Sequence, residues 1–181
     1  MDIFTALHTR RSIRQYTDAG ISRDDVRVLL DAAMIAPSAA NARPWQFVVV
    51  DDPALLAKVP DIHPYVSMAA KAPLGILVCG EPAAEKYPGY WVQDCSAAVQ
   101  NLLLAAVGLG LGAVWTGVYP VEERVARFRA LLSLPETIVP LAFIVIGHTN
   151  VAAEKKSRYE PEKIHHNGWM LWKDVVDSAG E

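Results

Sequence analysis

The longest helical pattern in the chain is YWVQDCSAAVQNLLLAAVG, from Tyr90 to Gly108, and this stretch decides the fold. Apolar residues occupy a wide arc of the helix that it predicts. Polar residues interrupt that arc at Gln93, Asp94, Gln100 and Asn101. A helix this apolar is usually covered on most sides, so we expect it at the centre of the domain.

Strands are predicted on both sides of this helix, over 46–50, 74–79, 111–116 and 138–146. Their residues are β-branched or apolar and most of the runs are bounded by Pro, Gly or Asp, which is typical of buried strands. Further helices are predicted over 2–9, from Ser22 with Asp25 as its capping-box partner, and over 121–132. We therefore expect one sheet with helices on its faces.

A chain of 181 residues is long enough for one domain with a substantial core, and we expect a single domain over 1–181. After His148 the hydrophobic periodicity stops and charged residues dominate. Burial within the segment cannot hold such a sequence in place. Residues 149–181 are therefore predicted to be a tail or an arm that frays or lies on another surface, such as a partner subunit.

The composition argues against several classes of protein. The net charge of −3 argues against a nucleic-acid or anionic-membrane surface, because such binding depends on a broad excess of Lys and Arg. No stretch reaches the roughly 20 apolar residues of a membrane span. The first residues show no secretory signal, so the cytoplasm is the expected compartment. Cys79 and Cys95 lie in apolar patterns and are predicted to be buried thiols.

The glycines of GLGLG, over 108–112, invite comparison with a dinucleotide-binding loop. In that loop the glycines follow a strand and open a helix, whereas here they end a helix and open a strand. We interpret them as a helix C-terminus with glycine in the left-handed conformation. The sequence also has no GxSxG elbow, and His165-His166 has no third ligand at metal spacing, so neither a serine nucleophile nor a metal site is predicted.

Two clusters combine cations with a hydroxyl group. They consist of Arg10, Arg11, Ser12 and Arg14, and of Lys155, Lys156, Ser157 and Arg158. Arginine presents a planar fork of donors that suits phosphate, and a serine hydroxyl completes the coordination of the phosphate oxygens. Together the clusters indicate a phosphate monoester as ligand. For either cluster alone, a solvated surface is the preferred interpretation.

A third stretch, APSAANARPWQF over 36–47, places small residues and an Asn in a loop ahead of a predicted strand. Taken with RRSIRQY over 10–16, GLGLGAVWTG over 108–117 and KSR over 156–158, it gives the chain its likeness to a known family. In these motifs and their order, the chain resembles the FMN-dependent nitroreductase family over about residues 2–160.

The resemblance implies an α+β fold with a central mixed or antiparallel sheet of about five strands, flanked by helices. It implies a homodimer with FMN at the interface and a C-terminal extension that lies on the partner. The reaction of the family is ping-pong: NADH or NADPH reduces FMN and leaves, and a small electrophile such as a nitroaromatic or a quinone takes its place. No protein nucleophile is needed, because the cofactor carries the hydride.

The same resemblance implies roles for twelve residues. Those at the phosphate and ribityl end would be Arg10, Ser12, Lys156 and Arg158, and Arg11 would be a further cofactor-binding residue. Those contributed by the partner subunit would be Pro37, Ser38, Ala39 and Asn41. Thr116 and Gly117 would present backbone groups near flavin N5, and Arg14 would approach the N1/O2 edge. Reduction of flavin puts negative charge on that edge, so a fixed cation there stabilises the reduced form.

Two other functions stay open from the residues alone. A phosphate-ester enzyme would use the arginines on its substrate, but it needs a nucleophile or metal-binding carboxylates. Asp51-Asp52 is the paired candidate, and we interpret it as a strand-ending turn. A non-catalytic flavin- or nucleotide-binding protein would hold its ligand with the same clusters and never turn it over.

Overall fold

The computed structural model describes residues 1–152 and 154–172, and within this range it contains a four-stranded sheet. The strands are β1 (Trp45–Val50), β2 (Leu74–Gly80), β3 (Leu111–Gly117) and β4 (Val139–His148). Their order across the sheet is β1-β2-β4-β3, and every neighbouring pair is antiparallel. The strands β2 and β4 are therefore central, and β3 is an edge.

Helices cover both faces of the sheet. In the described range they are α1 (Ile3–Thr9), α2 (Arg23–Met34), α3 (Pro53–Leu56), α4 (Val59–Ile62), α5 (Trp91–Gly108) and α6 (Glu122–Leu131). Asp2 caps α1 by accepting the Thr5 N–H at 3.0 Å, and Ser22 caps α2 by accepting the Asp25 N–H at 3.0 Å. The predicted starts of both helices are confirmed.

The helix α5 lies at the centre of one layer, as its sequence predicts. Its residues Ala98, Val99 and Leu102 are fully buried in a core shared with α2 and the sheet. Asn101, one of the polar interruptions, donates from its side-chain amide to the Ala32 carbonyl of α2 at 3.1 Å. The left-handed glycine expected after this helix is Gly110, with φ of 73°.

A second core fills the opposite face of the sheet, beneath α3, α4 and α6. Leu56, Val59 and Phe128 are buried there, and the Phe128 ring packs on Phe143 of β4 with a centroid distance of 5.3 Å. The two four-residue helices α3 and α4 are absent from the sequence prediction, because a single turn is too short to show helical periodicity. Both faces of the central strands are thus covered.

The two cysteines are buried, as predicted. Cys79 lies in β2 and Cys95 in α5, with the Cys95 sulfur 3.5 Å from the Cys79 carbonyl oxygen. Burial raises the pKa of each thiol to about 12. Both side chains therefore stay protonated at neutral pH and act as small apolar groups in the core.

The described sheet has one strand fewer than the expected five or so. The N-terminal segment adds only a one-residue parallel bridge, from Ser12 to Ala113 at the edge of β3. The Ile13 N–H donates to the Ala113 carbonyl of β3. Four residues later, the Thr17 N–H donates to the His148 carbonyl of β4. The segment therefore crosses the ends of two strands instead of running along one edge.

In the described residues after β4, 149–152 and 154–172, there is little regular structure. Residues 164–172 make a small hairpin, in which the His166 N–H donates to the Met170 carbonyl and the Trp172 N–H to the Ile164 carbonyl, both at 2.8 Å. Trp169 in this hairpin is 90% exposed. The last part of the predicted arm, 173–181, lies outside the described residues. Of the described helices, none combines the length and apolarity that crossing a membrane requires.

Leu102→Ala tests the central position of α5. Removing a fully buried leucine side chain is expected to lower the free energy of unfolding by about 2–5 kcal/mol, because the surrounding core closes the cavity only in part. Urea unfolding measures the change. Leu55→Ala, at a half-buried leucine of α3, is the matched control and should cost clearly less. Equal losses in the two variants would contradict the central position of α5.

Candidate functional site

The N-terminal arginines lie on a segment that is held across the ends of β3 and β4. The Ile13 N–H donates to the Ala113 carbonyl of β3 at 3.0 Å, and the Thr17 N–H donates to the His148 carbonyl of β4 at 2.8 Å. The Thr149 hydroxyl donates to the Gln15 carbonyl at 2.8 Å. Backbone hydrogen bonds therefore hold the segment at both ends, to β3 at Ile13 and to β4 at Thr17.

Two glycines make room for this segment. Gly112 of β3 and Gly147 of β4 are direct partners in the antiparallel register. A Cβ atom at Gly112 would lie 2.6 Å from a methyl group of Ile13, and one at Gly147 would lie 2.8 Å from the Tyr16 ring. Because any side chain at these two positions would collide with the segment, the glycine pair forms the groove in which it lies.

Tyr16 anchors the segment inside the groove. Its hydroxyl lies 2.7 Å from the Ile13 carbonyl and 3.0 Å from the Val145 carbonyl, and it donates its proton within this pair. Burial raises the pKa of Tyr16, although the charge of Arg14 opposes this. The hydroxyl thus stays a donor at every physiological pH.

The second basic cluster lies beside the first. His8 joins it twice: the Lys156 N–H donates to the His8 carbonyl, and His8 Nδ1–H donates to the Lys156 carbonyl, both at 3.2 Å. Arg11 also donates to the Glu154 carbonyl. This part of the predicted arm therefore packs on the first helix of its own chain.

A cleft of about 470 Å³ lies between the two clusters. The described residues that line it include four cations, Arg10, Arg11, Lys156 and Arg158, and no carboxylate. Among the described residues, none of the four forms an ion pair. Gln100, the polar interruption in the middle of α5, also faces this cleft. The cleft is suited to an anion with several oxygen atoms.

Arg14 lies in a second cleft, of about 460 Å³, together with Lys71. Lys71 ends a 3₁₀ turn that precedes β2, and sequence reasoning missed it. It stands alone among apolar residues, so no pattern in the sequence marks it. The structure thereby adds a second cation beside Arg14.

The loop with Pro37, Ser38, Ala39 and Asn41 is placed elsewhere. None of these residues lines either cleft in the described part of the chain. The Ala39 N–H donates to Asp94 Oδ1 of α5 at 3.0 Å, and the Arg43 N–H donates to the Ser38 hydroxyl at 3.0 Å. Within one copy of the chain, the loop and the basic clusters are therefore separate.

This loop is held in a sharply turned conformation. Ala40, Asn41 and Arg43 have φ of 49°, 54° and 50°, the left-handed region that non-glycine residues seldom adopt. Lys86 donates to the Ala40 carbonyl at 3.0 Å. Asp94, another polar interruption in α5, is 5% exposed and holds the loop from below. Such strain persists only where surrounding contacts determine the conformation.

Thr116 and Gly117 end the edge strand β3, and the structure distinguishes them. Thr116 is buried, and its hydroxyl donates to the Phe143 carbonyl of β4. The Val118 N–H donates to the Leu141 carbonyl of β4. In an antiparallel ladder the backbone groups of successive residues point alternately toward and away from the neighbouring strand. The backbone of Thr116 therefore also faces β4, and that of Gly117 faces outward. Of the pair, only Gly117 presents backbone groups at the edge.

The Gly117 carbonyl already has two partners. His63 Nε2–H donates to it at 2.9 Å, and Arg124 of α6 donates to it at 3.1 Å. His63 is 3% exposed. Burial, followed by the positive charge of Arg124, lowers the pKa of His63, so the imidazole is neutral at neutral pH. No sequence pattern marks His63, which bonds a residue 54 positions away.

Comparison with known proteins identifies the family to which the chain belongs. The family model "Nitroreductase family" matches residues 7–63 and 62–148. The protein named "Putative NADH dehydrogenase/NAD(P)H nitroreductase" of Methanothermobacter thermautotrophicus is 48% identical over 169 residues, which are 93% of this chain and 88% of that protein. The chain therefore belongs to the nitroreductase family, and the resemblance inferred from its motifs is confirmed.

Solved structures confirm the α+β fold of this family. A protein of that same name from Parabacteroides distasonis has a TM-score of 0.88 at 39% identity, over 92% of this chain and 98% of that one. A "putative nitroreductase" of Desulfovibrio desulfuricans, solved in complex with FMN, has a TM-score of 0.77 at 34% identity, over 91% of this chain and 96% of that one.

Gly147→Ala tests the groove. The added methyl group would collide with the half-buried Tyr16 ring, so we expect the free energy of unfolding to fall by about 1–3 kcal/mol. Trypsin should cut faster after Arg10, Arg11 and Arg14, because the segment that carries them is displaced. Gly20→Ala is the control, since a Cβ atom there meets nothing within 4 Å. Unaltered stability and cleavage in Gly147→Ala would refute the groove.

The neutral state of His63 predicts a pH dependence of stability. The unfolded chain takes up a proton on His63 near its ordinary pKa of about 6.5, whereas the folded chain resists this proton until lower pH. The free energy of unfolding should therefore fall as the pH drops below about 6.5. Urea unfolding at a series of pH values measures it, and His63→Gln should show a smaller fall. Equal pH dependence in both proteins would contradict a neutral His63.

Proposed function

We propose that the protein is an FMN-dependent NAD(P)H oxidoreductase that acts as a homodimer on a small electrophile such as a nitroaromatic or a quinone. The observation that carries the proposal is the cleft in which Arg10 and Arg11 meet Lys156 and Arg158, two clusters that are far apart in the sequence. Family membership supports the reaction class, and the FMN complex of a relative supports the cofactor.

The residues of the first cleft fit a phosphate monoester. Four cations, with no carboxylate beside them among the described lining residues, can neutralise its charge, and the arginines can each donate in pairs to its oxygen atoms. Ser12 forms a one-residue bridge with Ala113 at the edge of β3, and it offers a hydroxyl group to the ribityl end. These residues would hold FMN by its phosphate and leave the ring to the neighbouring cleft.

Arg14 and Lys71 would lie at the pyrimidine edge of the ring. FMN held there would supply the redox chemistry, which is hydride transfer from NADH or NADPH to the second substrate in a ping-pong sequence. Two cations stabilise the negative charge that develops on the N1–C2=O edge, and thereby raise the reduction potential. Gly117 would offer its outward backbone N–H near N5. No side chain is required as a nucleophile.

The loop of Pro37, Ser38, Ala39 and Asn41 supports a homodimer. None of these four residues lines either cleft of its own chain, so we assign them to the flavin site of a second copy. Large apolar side chains are also exposed on α1, including Ile3 at 58% and Phe4 at 70%, and Ile35 after α2 is 80% exposed. Such side chains are suited to an interface between subunits. Since NADH and NADPH are made inside the cell, the proposed activity belongs to the cytoplasm.

The phosphate-ester alternative has little support. Asp52, its candidate carboxylate, accepts the Ala54 N–H at 2.8 Å and caps α3, as expected of a turn that ends a strand. Neither Asp51 nor Asp52 lines the cationic cleft. A non-catalytic flavin-binding protein remains the second candidate, because the same clefts would serve it.

An absorption spectrum of the purified protein tests the proposal, with FMN added if the protein is colourless. Flavin bands should appear and bleach on anaerobic addition of NADH or NADPH, which also identifies the donor. Bands that neither donor bleaches would favour the non-catalytic binding protein. A protein that binds no FMN would refute the proposal and return the arginines to a substrate-phosphate site.

Arg14→Ala tests the ring site within the same experiment. We expect FMN affinity to fall about tenfold, or the flavin potential to become more negative, because a cation beside the ring is lost. Arg127→Ala is the matched control, since Arg127 faces solvent on α6 and pairs with Glu123 at 3.8 Å. An unchanged affinity and potential in Arg14→Ala would remove Arg14 from the ring.

A further inference from the structure

The outward groups of β3 are covered at two points along the edge. At the first, the Ala113 carbonyl accepts the Ile13 N–H. At the second, the Gly117 carbonyl accepts from His63 and Arg124. Residues 113, 115 and 117 all face outward by the alternation of the ladder, so the stretch between these points is the open part of the edge. Gly117 ends this stretch and is exposed. Its N–H points outward by the same alternation of the ladder.

The hydrogen bonds of His63 define its tautomer. The Tyr65 N–H donates to Nδ1 at 3.2 Å, so Nδ1 must be unprotonated. Nε2 faces the Gly117 carbonyl at 2.9 Å, and a carbonyl can only accept, so Nε2 carries the proton. The imidazole thus has both nitrogens occupied by backbone groups. It is buried, and it cannot exchange protons with a substrate without breaking one of these bonds.

Arg124 donates to the same carbonyl from α6. The helix α6 follows β3 in the chain, whereas His63 precedes β3. A carbonyl oxygen has two lone pairs, and here both are used. Two donors from separate elements fix the direction of the Gly117 carbonyl more firmly than either could alone.

We propose that His63 and Arg124 are positioning residues, which occupy the Gly117 carbonyl and so leave the Gly117 N–H as the group that this edge presents to the flavin ring. The inference rests on the proposed function and extends it to two side chains that act on the ring through Gly117. A free carbonyl at this place would direct its negative end toward a ring that gains negative charge on reduction. With that oxygen bonded, and with a guanidinium beside it, the edge favours the reduced flavin.

Substitutions at His63 separate this role from simple packing. His63→Leu removes the donor and keeps an apolar side chain of moderate size in the buried space. His63→Gln keeps an N–H donor that reaches about as far as Nε2. Reduction potentials and FMN dissociation constants of the holoproteins are measured for both variants and the wild type.

For His63→Leu we expect the equilibrium constant for flavin reduction to fall about tenfold, which is about 30 mV for a two-electron couple. FMN affinity should change less than about threefold, because the phosphate cleft is untouched. His63→Gln should restore most of the potential. A residue that merely fills space would affect stability in both variants and would leave the potential where it was.

Arg124→Gln is the second variant, and it tests the inference even if His63→Leu does not fold. It removes the positive charge, and its amide is two bonds shorter than the guanidinium that reaches Gly117. It should shift the potential in the same direction, by a smaller amount. Arg127→Gln, which removes the same charge one turn along α6, should leave the potential unchanged. An equal shift in Arg127→Gln would assign the effect to net charge and overturn the proposal.

The remaining outcomes separate the two levels of inference. A wild-type protein that binds no flavin would refute the proposed function, and this inference with it. A flavoprotein whose potential is the same in wild type, His63→Leu and Arg124→Gln would overturn this inference alone. A potential that falls equally in His63→Leu and His63→Gln would show that the donor to Gly117 is irrelevant, and would overturn it as well.

Discussion

The candidate site depends on the outer edge of β3, which no strand covers in the described part of the chain. An edge strand leaves alternate N–H and C=O groups without ladder partners, and buried groups of this kind need other partners. Here the partners are an N-terminal backbone segment at Ala113, and two side chains at Gly117. These partners carry or adjoin the cations of the candidate site. The contacts that cover the edge of β3 therefore also position those cations.

Close packing at one pair of residues makes this arrangement specific. Gly112 and Gly147 face each other across β3 and β4, and the segment that carries Arg10 to Arg14 lies directly over them. Tyr16 closes the groove with its ring and its hydroxyl group. Arg14 can extend into a cleft because Ile13, directly before it, and Tyr16, two residues after it, are held against the sheet. Rigid support of this kind is what an electrostatic site requires.

Much of the fold follows from the sequence, because long elements carry a strong pattern. The four strands and the helices α1, α2, α5 and α6 are close to their predicted bounds. The polar interruptions of α5 proved informative, since Asp94 holds the strained loop, Gln100 faces the cationic cleft and Asn101 bonds α2. The short helices α3 and α4 escaped prediction because one turn has no period to detect.

The site was less accessible to sequence reasoning than the fold. The two basic clusters could be recognised, because each concentrates several cations with a serine. Lys71 and His63 could not, because each is a single polar residue whose partners are brought to it only by tertiary structure. The separation of the Pro37 loop from both clefts is likewise a property of three-dimensional placement, which a linear motif does not encode.

The contact between His8 and Lys156 joins residues 148 positions apart. A ribosome synthesises the chain from its N-terminus, so α1 and the first arginines emerge long before the lysine that completes their cleft. The sheet can form once β4 is released, yet the cationic cleft is still incomplete at that moment. The cationic cleft can bind an anion only after Lys156 has emerged, so the chain acquires this property later than it acquires its sheet.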